Sequence, residues 1–388
     1  MPGTLFLPFA PFAGVGFTLF GALLVLVGAS QDEIRTALGI DLAQAGLLVS
    51  AVVSGIGLGV LCAGPLVDRF PRRPLCCLAA GLTGIALLGL GTEQAASQGY
   101  WTVFAMLVLA GVGGGLYETI FNAAAIEHYP DSSVRMIAIL HSGASIGAMA
   151  TPVAIGWAVS HASGSDWTLA FRVTGAAHLG LAVASWGVPL GTPALSSRAG
   201  TRPRGGVLTK PLVLLCLAAF AYVGVESAIT GLAIPYAEDA LGLSADRGRT
   251  AISVFWLGLL AGRLVFAVRA GEVDDARIGS WMGGAAALLL GVGVALAWSA
   301  VEALFAIVGF SLGGVFPLLV ALAGRRTPQA PATGVAVVAG LGSAGGFVAP
   351  WLTGSLGDAV GIQLAIASLA LWCAAIAIAS TLAERFRS

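Results

Sequence analysis

The sequence predicts an all-α polytopic membrane protein: twelve transmembrane helices in two pseudo-symmetric six-helix bundles. Three observations carry that prediction: the composition, the spacing of the apolar runs, and an internal repeat. Of 388 residues, 57% are hydrophobic and only 10% are charged, against about 25% charged in a typical soluble domain. So few charges cannot cover the outside of a soluble protein this large. The 55 glycines follow no three-residue period and sit inside Leu, Ala and Val runs, where membrane helices carry them. Nineteen basic and 19 acidic residues balance to zero, which leaves no basic footprint for nucleic acid.

A helix needs about 20 mostly apolar residues to cross the hydrocarbon layer. Cutting the chain at charged and turn-rich breaks yields stretches near 6–29, 43–64, 74–92, 100–124, 133–158, 171–191, 211–236, 249–269, 277–297, 301–322, 332–355 and 361–382. The first, apolar from Leu5 to Ala29, is longer than the roughly 7–15 residues of a signal-peptide core and reads as a retained span. The break from Gly191 to Lys210 is rich in Ser, Pro, Gly and Arg. It reads as a cytoplasmic linker, 192–210, between bundles 1–191 and 211–388. The five cysteines have neither metal-ligand spacing nor the even count of a disulfide framework.

Orientation follows from the Arg and Lys positions. With the N-terminus in the cytoplasm, inner loops hold fifteen of them and outer loops only four: Arg35, Arg172, Arg247 and Arg249. Both termini are expected inside. The halves also repeat. A shift of 198 lays Gly111 and Gly115 on Gly309 and Gly313, and Ser145, Gly147, Pro152 and Gly156 on Ser343, Gly345, Pro350 and Gly354. Generic small-residue packing explains the composition but not the constant offset. Two parallel six-span halves, with solute bound between them, is a transporter layout.

At the inner end of span two stands Gly64-Pro65-Leu66-Val67-Asp68-Arg69-Phe70-Pro71-Arg72-Arg73. It resembles the G-x-L-x-D-R-x-G-R-R signature of the major facilitator superfamily, with Pro71 in place of the second Gly. Gly258-x3-Gly262-Arg263 in span eight is a degenerate counterpart. The resemblance implies the major facilitator fold and a cytoplasmic gate served by Asp68, Arg69, Arg72, Arg73 and Arg263. Arg263 either pairs with a carboxylate or snorkels to the interface. Arg72 and Arg73 would also attract acidic lipid. A narrower likeness lies in Gly115-Leu116-Tyr117-Glu118-Thr119-Ile120-Phe121-Asn122, with Arg135 and His141 beyond. Tyr222-Val223-Gly224-Val225-Glu226 and Phe255-Trp256-x-Gly258 extend it. These stretches are similar to the fucose/glucose–proton symporter branch, which implies a proton-coupling or sugar-binding role for Glu118. Members of that type carry a further Asp in span one, where Phe6 to Ala29 holds no ionisable residue.

Only two carboxylates fall well inside spans, Glu118 and Glu226. A charge at bilayer depth costs at least about 2.5–3.5 kcal/mol, so such residues usually face a cavity and carry function. A desolvated carboxyl can hold a proton near neutral pH and release it when water or a cation arrives, which is what a proton-coupling site needs. Either Glu alone is a candidate. Asn122 lies one turn beyond Glu118 on the same face, where its amide suits a solute hydroxyl. His141 either relays a proton or sits neutral against the backbone. Tyr222, Glu226 and Thr230 form a polar stripe, read as cavity lining or as an interhelical clamp. Tyr117, Tyr222 and Trp256 adjoin these positions and could stack on a sugar ring.

A G-x4-G-K-[ST] phosphate loop is absent, as are paired catalytic carboxylates and a G-x-S-x-G elbow. The expectation is therefore not an enzyme but a proton-coupled secondary transporter of a small polar solute, possibly a sugar, without cofactor. The alternative is a proton-driven exporter of amphiphilic compounds or metabolites. Expected partners are the solute, protons and membrane lipids, with no nucleic acid. The chain is expected to act as a monomer in a bacterial inner membrane.

Overall fold

A computed structural model describes residues 7–92, 99–129, 131, 133–161, 167–191, 209–269, 277–327 and 331–386. The described residues are helical and contain no strand. In chain order the helices are α1 (Phe9–Ala29), α2 (Gln31–Leu38), α3 (Leu42–Arg69), α4 (Arg72–Leu90), α5 (Tyr100–His128), α6 (Ser133–His161) and α7 (Trp167–Ala184). They continue with α8 (Lys210–Pro235), α9 (Ala245–Arg269), α10 (Arg277–Ala295), α11 (Val301–Leu312), α12 (Val315–Arg326), α13 (Pro331–Val360) and α14 (Ile362–Arg385). The expected linker lies outside the described residues, apart from Gly191 at its edge and Thr209 and Lys210.

Eleven membrane-crossing helices meet a length and hydropathy requirement among the described residues, α11 and α12 counting together. The sixth expected span, α7, falls short of it. It carries Arg172 and His178, and it starts at Trp167 rather than 171. The expected tenth span breaks at Gly313-Gly314. Pro317 explains the break: it has no N–H for the Gly313 carbonyl, and its ring would strike that carbonyl. The short helix α2 was not anticipated. It ends at Gly39 with φ 61°, a left-handed backbone that glycine adopts at no steric cost.

The four arginines read as outer-loop residues all belong to helices, Arg35 to α2. Arg172 lies in α7 and donates to the Gly91 carbonyl at 3.0 Å. Arg247 and Arg249 lie in the first turns of α9, which starts before the expected position 249. Arg247 forks onto Glu302 at 2.6 Å, and Arg249 meets Asp246 at 2.8 Å. Pairing lets these charges lie at the ends of helices that apolar runs alone would have started later.

The contacts divide the chain into two compact units. The first holds residues 1–39 and 51–199, the second residues 40–50 and 200–388. In the first, α1 packs along α6, and α4 along α5 and α7; in the second, α8 packs on α13 and α14, α9 on α11, and α10 on α14. The repeated glycines make these seams. Gly147 sits against the Thr18 carbonyl, joining α6 to α1, and its counterpart Gly345 sits against the Phe220 carbonyl, joining α13 to α8. Gly111 and Gly115 abut the Val52 and Ile56 carbonyls; Gly309 and Gly313 abut those of Phe255 and Leu259. A constant offset in the sequence thus encodes the same close backbone approach twice.

A side chain at such a seam collides with backbone, which cannot swing aside. Gly345→Val is therefore expected to lose about 1–3 kcal/mol of stability, read as a lowered unfolding temperature in detergent. Gly340→Val on the same helix faces open space and should be nearly neutral; equal losses at both positions would contradict the seam.

Candidate functional site

In the first unit, α5 and α6 bring together the residues that the sequence singles out. Glu118 and Asn122 stand one turn apart on α5, and the Asn122 side chain hydrogen-bonds the Glu118 carboxylate. Across from them on α6, His141 Nε2 lies 4.0 Å from Glu118 Oε1. The His141 side chain is 39% exposed and that of Glu118 16%, so the pair is open on one side. The Phe17 ring of α1 packs 4.6 Å from the imidazole. Asn122 Oδ1 is shielded from solvent and accepts no hydrogen bond. This small cluster holds a carboxylate, an imidazole and an unfilled amide acceptor.

Tyr117 is not part of that surface. It is fully buried, and its hydroxyl lies 3.2 Å from His178 Nε2. His178 Nδ1 is 2.8 Å from the Thr174 carbonyl. A carbonyl only accepts, so Nδ1 donates, and in a neutral ring Nε2 accepts from Tyr117. The ring also meets Phe20 and Phe121 edge-on or tilted. Tyr117 ties α5 to α7 and has no free face for a sugar.

The second unit builds a different group. On α8, the Tyr222 hydroxyl donates to Glu226 Oε2 at 2.6 Å. From α9, Arg263 donates to the Tyr222 hydroxyl at 3.1 Å and reaches Glu226 Oε2 at 3.4 Å. The spacing of four residues puts Tyr222 and Glu226 on one helix face, and α9 delivers the cation to it. Tyr222 is 1% exposed. Trp256 is buried as well, its indole N–H donating to Thr230 Oγ1 at 3.2 Å. The polar stripe of α8 is thus an interhelical clamp rather than a bare lining, and neither ring offers a stacking surface.

The loop after α3 also uses its arginines inside one unit. Arg72, 3% exposed, makes a two-pronged pair with Glu127 at 2.7 and 2.6 Å and donates to the Leu190 carbonyl at 3.3 Å. Arg73 donates to the Val188 carbonyl at 2.8 Å. Both pin the segment after α7 to the start of α4. Arg69 ends α3 and is exposed. The Asp68 side chain lies outside the described residues. Arg263, grouped with these as a gate residue, is instead the cation of the Glu226 group. Sequence reasoning missed Glu127, Glu302 and Asp358, acidic residues at or next to span ends.

Comparison with known proteins agrees with this architecture. The family model of the Major Facilitator Superfamily matches residues 12–330. An MFS-type transporter of Bacillus subtilis, YfkL, is 25% identical over 361 residues, which cover 87% of this chain and 86% of that one. A glucose/galactose transporter of Brucella abortus is 27% identical over 161 residues, 40% of this chain and 38% of that protein. Among solved structures, a D-xylose–proton symporter superposes with a TM-score of 0.78 at 14% identity, covering 97% of both chains. Helices of membrane-crossing length, the duplicated glycine seams and a family match over most of the sequence together make this chain an integral membrane transporter, and not an enzyme, of the Major Facilitator Superfamily.

Proposed function

We propose that the protein is a proton-coupled transporter of a small polar solute, a sugar, working by alternating access. The supporting observation is the unlike company of the two intramembrane carboxylates. Glu226 has Arg263 beside it, a cation at any physiological pH. A proton arriving there would strand a guanidinium charge in the bilayer. Glu118 has an imidazole, which carries charge only when protonated. A proton arriving at Glu118 removes a costly charge instead of creating one. Glu118 is accordingly the proton carrier, and Glu226 is the counter-charge of the clamp.

The solute site is assigned to Glu118, Asn122 and His141. Their donors and acceptors suit hydroxyl groups, and Asn122 Oδ1 has an acceptor position to fill. The names of the glucose/galactose relative and the xylose–proton symporter fold neighbour favour a monosaccharide. The protein is placed as a lipid-surrounded monomer in a bacterial inner membrane, with both termini cytoplasmic.

The test is uptake of labelled D-xylose, D-glucose and D-galactose into proteoliposomes with an imposed pH gradient. At least one sugar is expected to accumulate transiently and to lose that accumulation when a protonophore is added. Uptake of every sugar that ignores the gradient would remove the reading.

A further inference from the structure

The corner where α1 passes into α2 leaves three buried polar atoms without protein partners. Among the described residues, ten shielded side-chain nitrogen and oxygen atoms make no hydrogen bond, and Ser30 Oγ, Gln31 Oε1 and Gln31 Nε2 are three of them. Both residues are 0% exposed. Buried polar groups are hydrogen-bonded in the great majority of cases, and an exception calls for an occupant.

The sequence supplies a partner set that the fold does not use. Ser30-Gln31-Asp32-Glu33 has the S-x-x-E spacing of a capping box, in which hydroxyl and carboxylate satisfy each other's backbone N–H groups. The box does not form. The Ser30 N–H is taken by the Leu26 and Val27 carbonyls at the end of α1, both at 3.2 Å, and its hydroxyl makes no cap bond to α2. With one residue between the helices, the first turn of α2 faces inward. Gln31, Glu33 and Ile34 are buried, whereas Thr36 and Ala37 are exposed. The last turn of α1 offers no side-chain donor or acceptor, since Leu26, Val27 and Ala29 are apolar and buried.

The atoms left over identify the occupant. Gln31 lacks a partner at its donor and its acceptor alike. A metal cation would meet Oε1 and leave Nε2 unmet; an anion would do the reverse. A molecule that both donates and accepts satisfies the two together and serves the Ser30 hydroxyl as well. A buried water makes about three hydrogen bonds. Both residues are sealed from solvent, which suits a resident water and not a solute in transit.

We propose that Ser30 and Gln31 bind ordered water between α1 and α2, a hydration site that replaces the unformed capping box. It lies wholly within the first unit. On the orientation that the arginine distribution predicts, it sits at the outer end of the first span. It does not depend on which solute moves or what drives it.

The experiment uses the full chain purified in detergent. Brief X-ray irradiation turns bound water into hydroxyl radicals, which oxidise adjacent side chains even where bulk solvent does not reach. Ile34, 1% exposed, lies one turn from Ser30 and should be oxidised several-fold faster than Ile366 of α14, 0% exposed. Gln31→Leu should lose that excess. It should also lower the unfolding temperature by about 2–4 °C, because it strands the Ser30 hydroxyl. Adding Ser30→Ala removes the stranded group and should recover part of the fall. A dry site predicts the opposite sign, since an apolar side chain would then replace an amide buried without a partner. A raised unfolding temperature in Gln31→Leu overturns the proposal, as does Ile34 oxidation no faster than that of Ile366. So does stabilisation of the wild type by Na⁺ over choline that Gln31→Leu abolishes, which would make the occupant a cation. If Gln31→Leu is not monodisperse, the wild-type comparison of Ile34 with Ile366 decides alone.

Discussion

Glu118→Gln is expected to abolish uphill accumulation while solute exchange across the membrane continues. The amide has the shape of a protonated carboxyl and can still hydrogen-bond a hydroxyl, but it cannot release a proton. With one proton per solute, a gradient of one pH unit supports about tenfold accumulation, because about 1.4 kcal/mol is a factor of ten. Without coupling the inside-to-outside ratio falls to one. Folding should not suffer, since a neutral group is easier to bury than a carboxylate. The discriminating measurement pairs net uptake under a pH gradient with exchange of labelled for unlabelled sugar at equal pH. Wild-type accumulation by Glu118→Gln would reassign the proton site. Loss of exchange as well would make Glu118 a solute ligand alone.

Arg263→Ala carries the largest expected stability cost. It leaves Glu226 without its cation and removes one partner of the Tyr222 hydroxyl. Breaking a buried pair from one side costs about 3–5 kcal/mol. The lower end applies here, because side-chain exposures of 24% for Arg263 and 16% for Glu226 leave some hydration in place. Replacing both partners removes the stranded charge, so Arg263→Met with Glu226→Met should regain most of the loss. Unfolding temperatures of the two single variants and the double variant close the cycle. If the double variant falls as far as the sum of the singles, the two residues do not act as a pair. The double variant should also keep pH-gradient-driven uptake, because the proton is carried at Glu118.

The membrane architecture could be read in advance because its signals are local. A run of apolar residues as long as the bilayer is thick becomes a span whatever surrounds it. The repeat was legible for a related reason: Gly147 and Gly345 meet the same steric demand, and a demand for the smallest side chain writes itself directly into the sequence. Glu118, Asn122 and His141 could likewise be singled out, since ionisable groups are scarce in spans.

All three rings read as stacking surfaces are buried, each among its own partners. Tyr117 adjoins Glu118 in sequence, but successive residues on a helix point about 100° apart, and Tyr117 faces α7 instead. Tyr222 and Trp256 do lie near the polar positions, yet their polar ends are used up by Glu226, Arg263 and Thr230. The arginines of the gate motif were found by type and spacing. That Arg72 belongs to Glu127, 55 residues away, follows from no spacing rule.

From the sequence alone came which segments enter the membrane, that they come in two copies, and which few side chains are out of place in lipid. Those properties depend on each residue's own transfer energy and size. The tertiary structure alone decided who partners whom: Glu226 with an arginine 37 positions on, Glu118 with an imidazole, Asp358 with the start of a helix from the other end of the chain. A charge in a low-dielectric interior takes its meaning from what stands within a few ångströms of it, and only the packed helices bring those neighbours together.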